Sequence, residues 1–135
     1  VLLFDADHLA HVNHAAGIEA TEACLVAMGR LITTEAEGAW VGRMGGDEFA
    51  VFVKDAARAE CIADRIRASM AQSFRTERAA VIEMFPQLAA HPVLTFSVGA
   101  ARVVPGLTLM QALKRGEEAL SAAKIAGRNR LCWAP

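Results

Sequence analysis

The stretch Gly42–Val53, "GRMGGDEFAVFV", decides the fold. Its flanks, "AWVGRM" from Ala39 and "EFAVFV" from Glu48, are apolar and read as two strands. Gly45 and Gly46 read as the turn of a hairpin between them. Asp47 and Glu48 stand side by side where the turn meets the second strand. That is an unfavourable place, because like charges repel and acids are depleted in strands. A solvated hairpin tip is one reading. A bound divalent cation is the other, since it would offset the repulsion. Mg²⁺ takes hard oxygen ligands, usually one or two carboxylates plus substrate phosphates. Asp5, near the end of the opening run "VLLFDAD", supplies a second carboxylate if that run pairs beside the hairpin. The two glycines would then let a bulky ligand approach the backbone closely.

Outward from the hairpin, the order of elements reads βααββα(α)βαβ. "VLLFDAD" is a buried strand, and "HLAHVNHAAG" a short helix or turn that stops at Gly17. Ile18, Leu25, Met28, Leu31 and Ile32 follow at helical spacing. Asp55 caps a helix through Ile62, Ile66 and Met70. The stretch "RTERAAVIEMFPQLAAHP" either extends that helix or forms a helix and loop broken at Pro86. "VLTFSVGAARVV" is a β-branched strand, and Pro105-Gly106 a turn. A helix capped by Thr108 closes at Gly127, and "RNRLCWA" forms a last strand. Strands alternating with helices that cover them imply an α/β or α+β sandwich, one sheet with helices packed on it.

The 135 residues fit a single domain, and 54% hydrophobic content supplies a compact core. A formal net charge of −1 gives no general attraction to nucleic acid or to an anionic membrane. No apolar run approaches the ~18 residues of a membrane span, and no signal peptide is visible. Cys24, Cys61 and Cys132 are far apart and set among apolar residues. They read as buried free thiols in a reducing cytosol.

Four segments in order resemble one family. "RMGGDEF" is similar to the signature of GGDEF domains, the diguanylate cyclases that make cyclic di-GMP from two GTP. "LLFDADHLAHVN" resembles the family's Asp-x-Asp-x-Phe-Lys-x-x-Asn segment. "LTFSVGAA" resembles its Thr-x-Ser-x-Gly strand, and "EEALSAAKIAGRNRL" its Ala-Lys-x-x-Gly-Arg-Asn tail. The resemblance covers nearly the whole chain. It implies a mostly antiparallel five-stranded sheet flanked by helices, like a nucleotidyl cyclase or polymerase palm. It also implies a cytoplasmic nucleotidyltransferase that requires Mg²⁺ or Mn²⁺.

Carried over by residue, the resemblance assigns metal to the carboxylates of Asp5 and Glu48 and to the Ala6 carbonyl. Asp47 would sit beside the metal and the reacting 3′-hydroxyl. Asn13 and Glu22 would read the guanine edge. The backbone N–H groups of His8, Leu9 and Ala10 would cradle the β and γ phosphates, and Lys124 and Arg128 would neutralise the triphosphate. Their spacing of four places those two cations on one face at the end of a helix. One domain holds one GTP, so catalysis implies a homodimer with two-fold symmetry. The family's amino-terminal Asp-x-Leu-Thr-Gly-Leu-x-Asn-Arg segment does not occur among these residues. We therefore expect that segment, and a sensory or receiver domain upstream, to lie outside them.

The sequence departs from the family at several positions. Ala10 stands where the family has Lys, and Glu22 where it has Asp. The family's product-inhibition Arg-x-x-Asp falls on Ala36-Glu37-Gly38-Ala39, which has neither residue. No inhibitory site is expected there. These changes keep a second reading open, a non-catalytic GTP-binding module that acts through dimerisation or a fused partner. Asp7 reads as a helix cap. Trp40 and Trp133 read as core or edge packing, and Met28, Met44, Met70, Met84 and Met110 as core filler.

Overall fold

The computed structural model describes residues 1–72, 74–90 and 94–135. Ser73 of the expected second long helix, His91-Pro92, and the Val93 start of the expected strand fall outside them. The elements run β1 (Leu2–Asp7), α1 (Leu9–Glu35), β2 (Trp40–Gly45), β3 (Glu48–Phe52), α2 (Ala56–Gln72) and α3 (Phe74–Met84). A 3₁₀ turn (Pro86–Ala90), β4 (Thr95–Ala100), α4 (Leu109–Ile125) and β5 (Leu131–Trp133) follow. The sheet order is β2-β3-β1-β4-β5. All neighbours are antiparallel except β4 and β5. This is the expected mostly antiparallel five-stranded sheet with helices on it.

Strand β1 is the centre of the sheet, hydrogen-bonded to β3 on one edge and β4 on the other, and all six of its residues are buried. Its side chains alternate between two cores. Leu2, Phe4 and Ala6 join the larger core, which also contains Val12, Met28 and Ile32 of α1 and Ile62, Ile66 and Met70 of α2. Leu3 joins the smaller core with Ala50 and Leu120 of α4. The alternation of a strand therefore turns Asp5 and Asp7 to the α4 side as well.

Local chemistry fixes the ends of the helices. Helix α1 breaks at Gly17, whose φ of 80° and ψ of −174° lie in a region that residues with a Cβ avoid. This is the expected stop, followed directly by the second helical stretch. Asp55 caps α2 by accepting the Ala57 N–H at 2.9 Å. Thr108 and Gln111 cap α4 reciprocally. At its other end, the Gly127 N–H donates to the Lys124 carbonyl and the Arg128 N–H to the Ala123 carbonyl, a Schellman closure.

Several expectations of burial fail. Trp40 is 77% exposed because β2 is an edge strand and α4 does not extend over it. Of the five methionines only Met28 and Met70 are buried; Met44, Met84 and Met110 face solvent. Of the thiols only Cys24 is buried, while Cys61 is exposed. Single apolar residues in a short window do not reveal which face of an element they occupy. No described helix is long and apolar enough to cross a membrane.

Helix α4 lies directly on the backbone of β4. A Cβ built at Gly99 would come within 2.1 Å of the Gly116 carbonyl oxygen and 2.3 Å of the Leu120 nitrogen, both main-chain atoms. Gly116 in turn lies against the Leu3 side chain. We predict that Gly99→Ala forces the helix off the sheet and costs about 3 kcal/mol or more in urea unfolding. Gly42→Ala, at a site with open space around it, should cost under about 1 kcal/mol.

Candidate active site

The carboxyl end of β1, the start of α1, the β2–β3 turn and the end of α4 meet around a cleft. The cleft has two adjoining cavities that share Leu9, Ala10 and Asp47. The larger, about 410 Å³, is walled by Asp5, Ala6, His8, Asp47, Lys124 and Arg128. The other, about 310 Å³ and more apolar, is walled by Asn13, Ile18, Glu22, Leu25, Arg43 and Gly46. The residues expected to hold phosphate thus line one half, and those expected to hold the base line the other.

Asp5 is the pivot of the first half. It is Cα partner to Glu48 on β3 and to Ser97 on β4. The carboxylates of Asp5 and Glu48 therefore leave the same face of adjacent strands, as the sequence led us to expect. Glu48 is exposed and Asp5 buried. The Lys124 ammonium donates to Asp5 Oδ2 at 2.6 Å. Burial pushes the Asp5 carboxyl above its ordinary value of 3.8. The hydrogen bond and charge of Lys124 pull it back, and the negative charges of Asp47 and Glu48 push it further up. The Asp5 and Glu48 carboxylates on paired strands are hard oxygen donors of the kind a divalent cation takes. Among the described residues, no group of three or more His, Cys, Asp and Glu side chains is arranged to hold a metal. Two carboxylates and a backbone carbonyl would need substrate phosphates to complete an Mg²⁺ shell, which is the usual arrangement for that ion. The Ala6 N–H reaches the Asp47 carbonyl at 3.4 Å and ties β1 to the turn.

His8 precedes α1 with a left-handed φ of 68° and gives no side-chain cap. The first N–H groups of a helix have no acceptor inside it, so those of Leu9 and Ala10 are available to an anion at this wall. The His8 and His11 rings stack beside them, their centroids 5.5 Å apart. Lys124 lies in the last turn of α4, but Arg128 lies beyond it, after the left-handed Gly127. The expectation that both ride one helical face is therefore wrong. The chain turns before Arg128, and the loop brings it back to the same cavity.

Asp7 is not a helix cap. Its side chain is fully buried and accepts from Thr95 Oγ1 at 2.7 Å, Ser97 Oγ at 2.7 Å and the Asn129 N–H at 3.1 Å. Because Asp7 belongs to β1, its side chain turns into the sheet's α4 face instead of toward the helix start. Arg43 was also missed. It donates to the Gly46 carbonyl from Nε and from Nη2, at 3.0 and 2.7 Å, and stands 3.7 Å from Glu22. The position of Arg43, three residues before a left-handed glycine of the turn, was the available clue. Asn13 and Glu22 are both exposed on α1, on either side of the Gly17 break.

The sequence model of the family described as "Diguanylate cyclase, GGDEF domain" matches residues 1–130. The chain is 33% identical over 132 residues to a probable diguanylate cyclase, DgcC, of Escherichia coli (strain K12). That alignment covers 96% of the chain and 33% of the relative, so the chain spans about a third of that protein's length. Among solved structures, the GGDEF domain of YfiN (TpbB) from Pseudomonas aeruginosa superposes with a TM-score of 0.77 at 26% identity. It covers 99% of the chain and 80% of that domain's chain. Diguanylate cyclase SiaD of Pseudomonas aeruginosa, solved with its activator SiaC, also gives 0.77 at 26% identity, over 98% of the chain and 48% of that one.

The raised Asp5 pKa has a consequence for stability in metal-free buffer. An acid that holds its proton more tightly when folded contributes stability below pH 3.8, and that contribution is lost as pH rises through the folded value. Asn cannot titrate. In urea unfolding with chelator present, the stability of Asp5→Asn relative to the parent should therefore increase from pH 4 to pH 7. A constant difference across that range would refute the shift.

Proposed function

The chain belongs to the GGDEF domain family of diguanylate cyclases, and from that premise we propose that it condenses two GTP into cyclic di-GMP and two pyrophosphates. The observation that supports this best is the meeting of Asp5, Glu48 and Lys124. Asp5 and Glu48 are partners on paired strands, and Asp5 shares its cavity with Asp47 and with the cations Lys124 and Arg128 from the other end of the chain. Asp5, Glu48 and the Ala6 carbonyl are the ligands for Mg²⁺ or Mn²⁺. When bound, the ion supplies charge stabilisation and makes the attacking 3′-hydroxyl more acidic.

The remaining steps belong to the chain's own residues. The N–H groups at His8, Leu9 and Ala10 hold the β and γ phosphates, and Lys124 and Arg128 balance the charge that develops on departing pyrophosphate. Asp47 lies where both cavities meet, and we assign it the place beside the reacting 3′-hydroxyl. Asn13 and Glu22 receive the guanine edge. Each domain holds one GTP, so two copies face each other about a two-fold axis to complete the reaction.

The 135 residues form a single catalytic domain, and control comes from elsewhere. The curated relative is about three times as long, and SiaD is a diguanylate cyclase with a bound activator. An upstream sensory or receiver domain is the regulator we favour, in a cytoplasmic protein that draws on the GTP pool. Product inhibition at the Arg-x-x-Asp position is absent in this reading. Neither Ala36 nor Ala39 carries the guanidinium or the carboxylate that such a site uses.

A second reading, a non-catalytic GTP-binding module, is favoured by two particulars. Ala10 removes a cation from the phosphate wall, and the Glu22 carboxylate is engaged by Arg43. Incubating the protein with Mg²⁺ and each nucleoside triphosphate in turn, then resolving the products, separates the readings. Cyclic di-GMP that disappears in Glu48→Gln and Asp5→Asn supports the cyclase. GTP binding without product, at concentrations high enough to dimerise, supports the module. Asn13→Ala should raise KM more than it lowers kcat. Preferential use of ATP would refute the guanine assignment. In calorimetry, cyclic di-GMP should show no tight site outside the cleft.

A further inference from the structure

Arg128 and Asn129 are consecutive non-glycine residues with left-handed backbone, φ 63° and 44°. Side chains with a Cβ disfavour that region. Closing α4 does not demand both, because Gly127, at φ 112°, already occupies the left-handed position of the Schellman closure. Something else holds the two residues there.

Two side chains from distant parts of the sequence bracket Asn129. Its N–H donates to Asp7 Oδ2 at 3.1 Å, and its carbonyl accepts from Arg67 Nη2 at 2.5 Å. Hydrogen bonds at both the nitrogen and the carbonyl of one residue restrain its φ and ψ together. Both clamps are themselves held. The Asp7 carboxylate is oriented by the Thr95 and Ser97 hydroxyls, and Arg67 by Asp64 Oδ1 at 3.0 Å. The Arg128 Nε lies 4.0 Å from Asp7 Oδ1, and its half-exposed side chain borders the larger cavity opposite Lys124. Among the described residues, Arg67 Nε is buried without a hydrogen-bond partner.

We propose that Asp7 and Arg67 are positioning residues that lock the Arg128–Asn129 turn and so aim the Arg128 guanidinium into the polyphosphate half of the cleft. This rests on the assignment of that half to a triphosphate. Arg67 does not line the cavity, so its influence on a ligand runs through Asn129 and Arg128. Arg128 is the residue that meets the phosphate oxygens, and the other two set where it stands.

The test uses inorganic tripolyphosphate as the probe and isothermal calorimetry on the full chain. Arg67→Met keeps the apolar stem and removes the donors. It should weaken tripolyphosphate binding about tenfold. Arg67→Lys, which can still reach the Asn129 carbonyl, should recover most of the loss. In an Arg128→Ala background, Arg67→Met should change nothing further, a coupling that a general loss of stability would not show. Asp7→Asn should behave like Arg67→Met where it folds, and the arginine variants decide the matter where it does not. Three results would overturn the proposal: parental affinity in Arg67→Met, an equal loss in the Arg128→Ala background, or no tripolyphosphate binding by the parent protein. GTP turnover is scored separately. The expected tripolyphosphate pattern without cyclic di-GMP would leave the positioning role standing and remove the cyclase reading.

Discussion

Strand β1 buries two carboxylates, Asp5 and Asp7, in the middle of the sheet. Removing a carboxylate from water costs several kcal/mol unless it is paired and hydrogen-bonded. Much of the site follows from meeting that cost. Asp7 accepts from two hydroxyls of β4 and one backbone N–H, with the Arg128 guanidinium 4.0 Å away. Asp5 is met by the ammonium of Lys124, 119 residues away in sequence. For Lys124 to arrive, α4 has to lie almost on the backbone of β4, which is what Gly99 and Gly116 allow. A glycine pair in the core and an ion pair in the cleft are thus parts of one constraint.

The two carboxylates end in different states because their partners differ. Asp7, surrounded by oriented hydroxyls and an N–H, is a fixed acceptor that organises the loop after α4. Burial raises the pKa of Asp5, its hydrogen-bonded cation Lys124 lowers it, and the anionic neighbours Asp47 and Glu48 raise it further. A group held in that imbalance has more to gain from a multivalent cation than one whose hydrogen bonds are complete. The same strand therefore carries one carboxylate suited to structure and, two residues earlier, one suited to binding.

Much of this could be read from the sequence, and what could not be read has physical reasons. The hairpin, the central strand, the Gly17 break, the Asp55 and Thr108 caps and the Gly127 closure all depend on local backbone chemistry, which short windows express. The opposition of Asp5 and Glu48 could be anticipated because strand pairing preserves the facing of side chains. Asp7 was misread because a cap and a buried acceptor present the same residue type before a helix. Only the pairing of β4 brings Thr95 and Ser97 to it. Arg67 and Asn129 could not be connected at all, being 62 residues apart in sequence with no shared periodicity. The exposure of Trp40 and Met44 depended on β2 being the sheet edge, which is a property of strand order and not of the strand itself.

The two halves of the cleft differ in how firmly they are held, and this bears on selectivity. The phosphate half is anchored on the buried carboxylates of Asp5 and Asp7, which are hydrogen-bonded to α4 and β4, although Arg128 itself is half-exposed. The base half is built on exposed side chains of α1 beyond the first turn, with a glycine break between Asn13 and Glu22. Glu22 is tethered by the Arg43–Glu22 pair at 3.7 Å, with both side chains well exposed. Such pairs contribute little, about 0–1 kcal/mol. Strong discrimination between bases needs polar groups fixed so that the wrong edge leaves them unpaired. In the proposed reading, the half anchored on buried carboxylates faces what all nucleoside triphosphates share, and the half built on exposed side chains faces what distinguishes them. Arg43 also holds the Gly46 carbonyl of the turn that carries Asp47. In that reading a base that engages Glu22 acts on the same arginine that braces the β2–β3 turn, which would link recognition of the base to the geometry of the carboxylates.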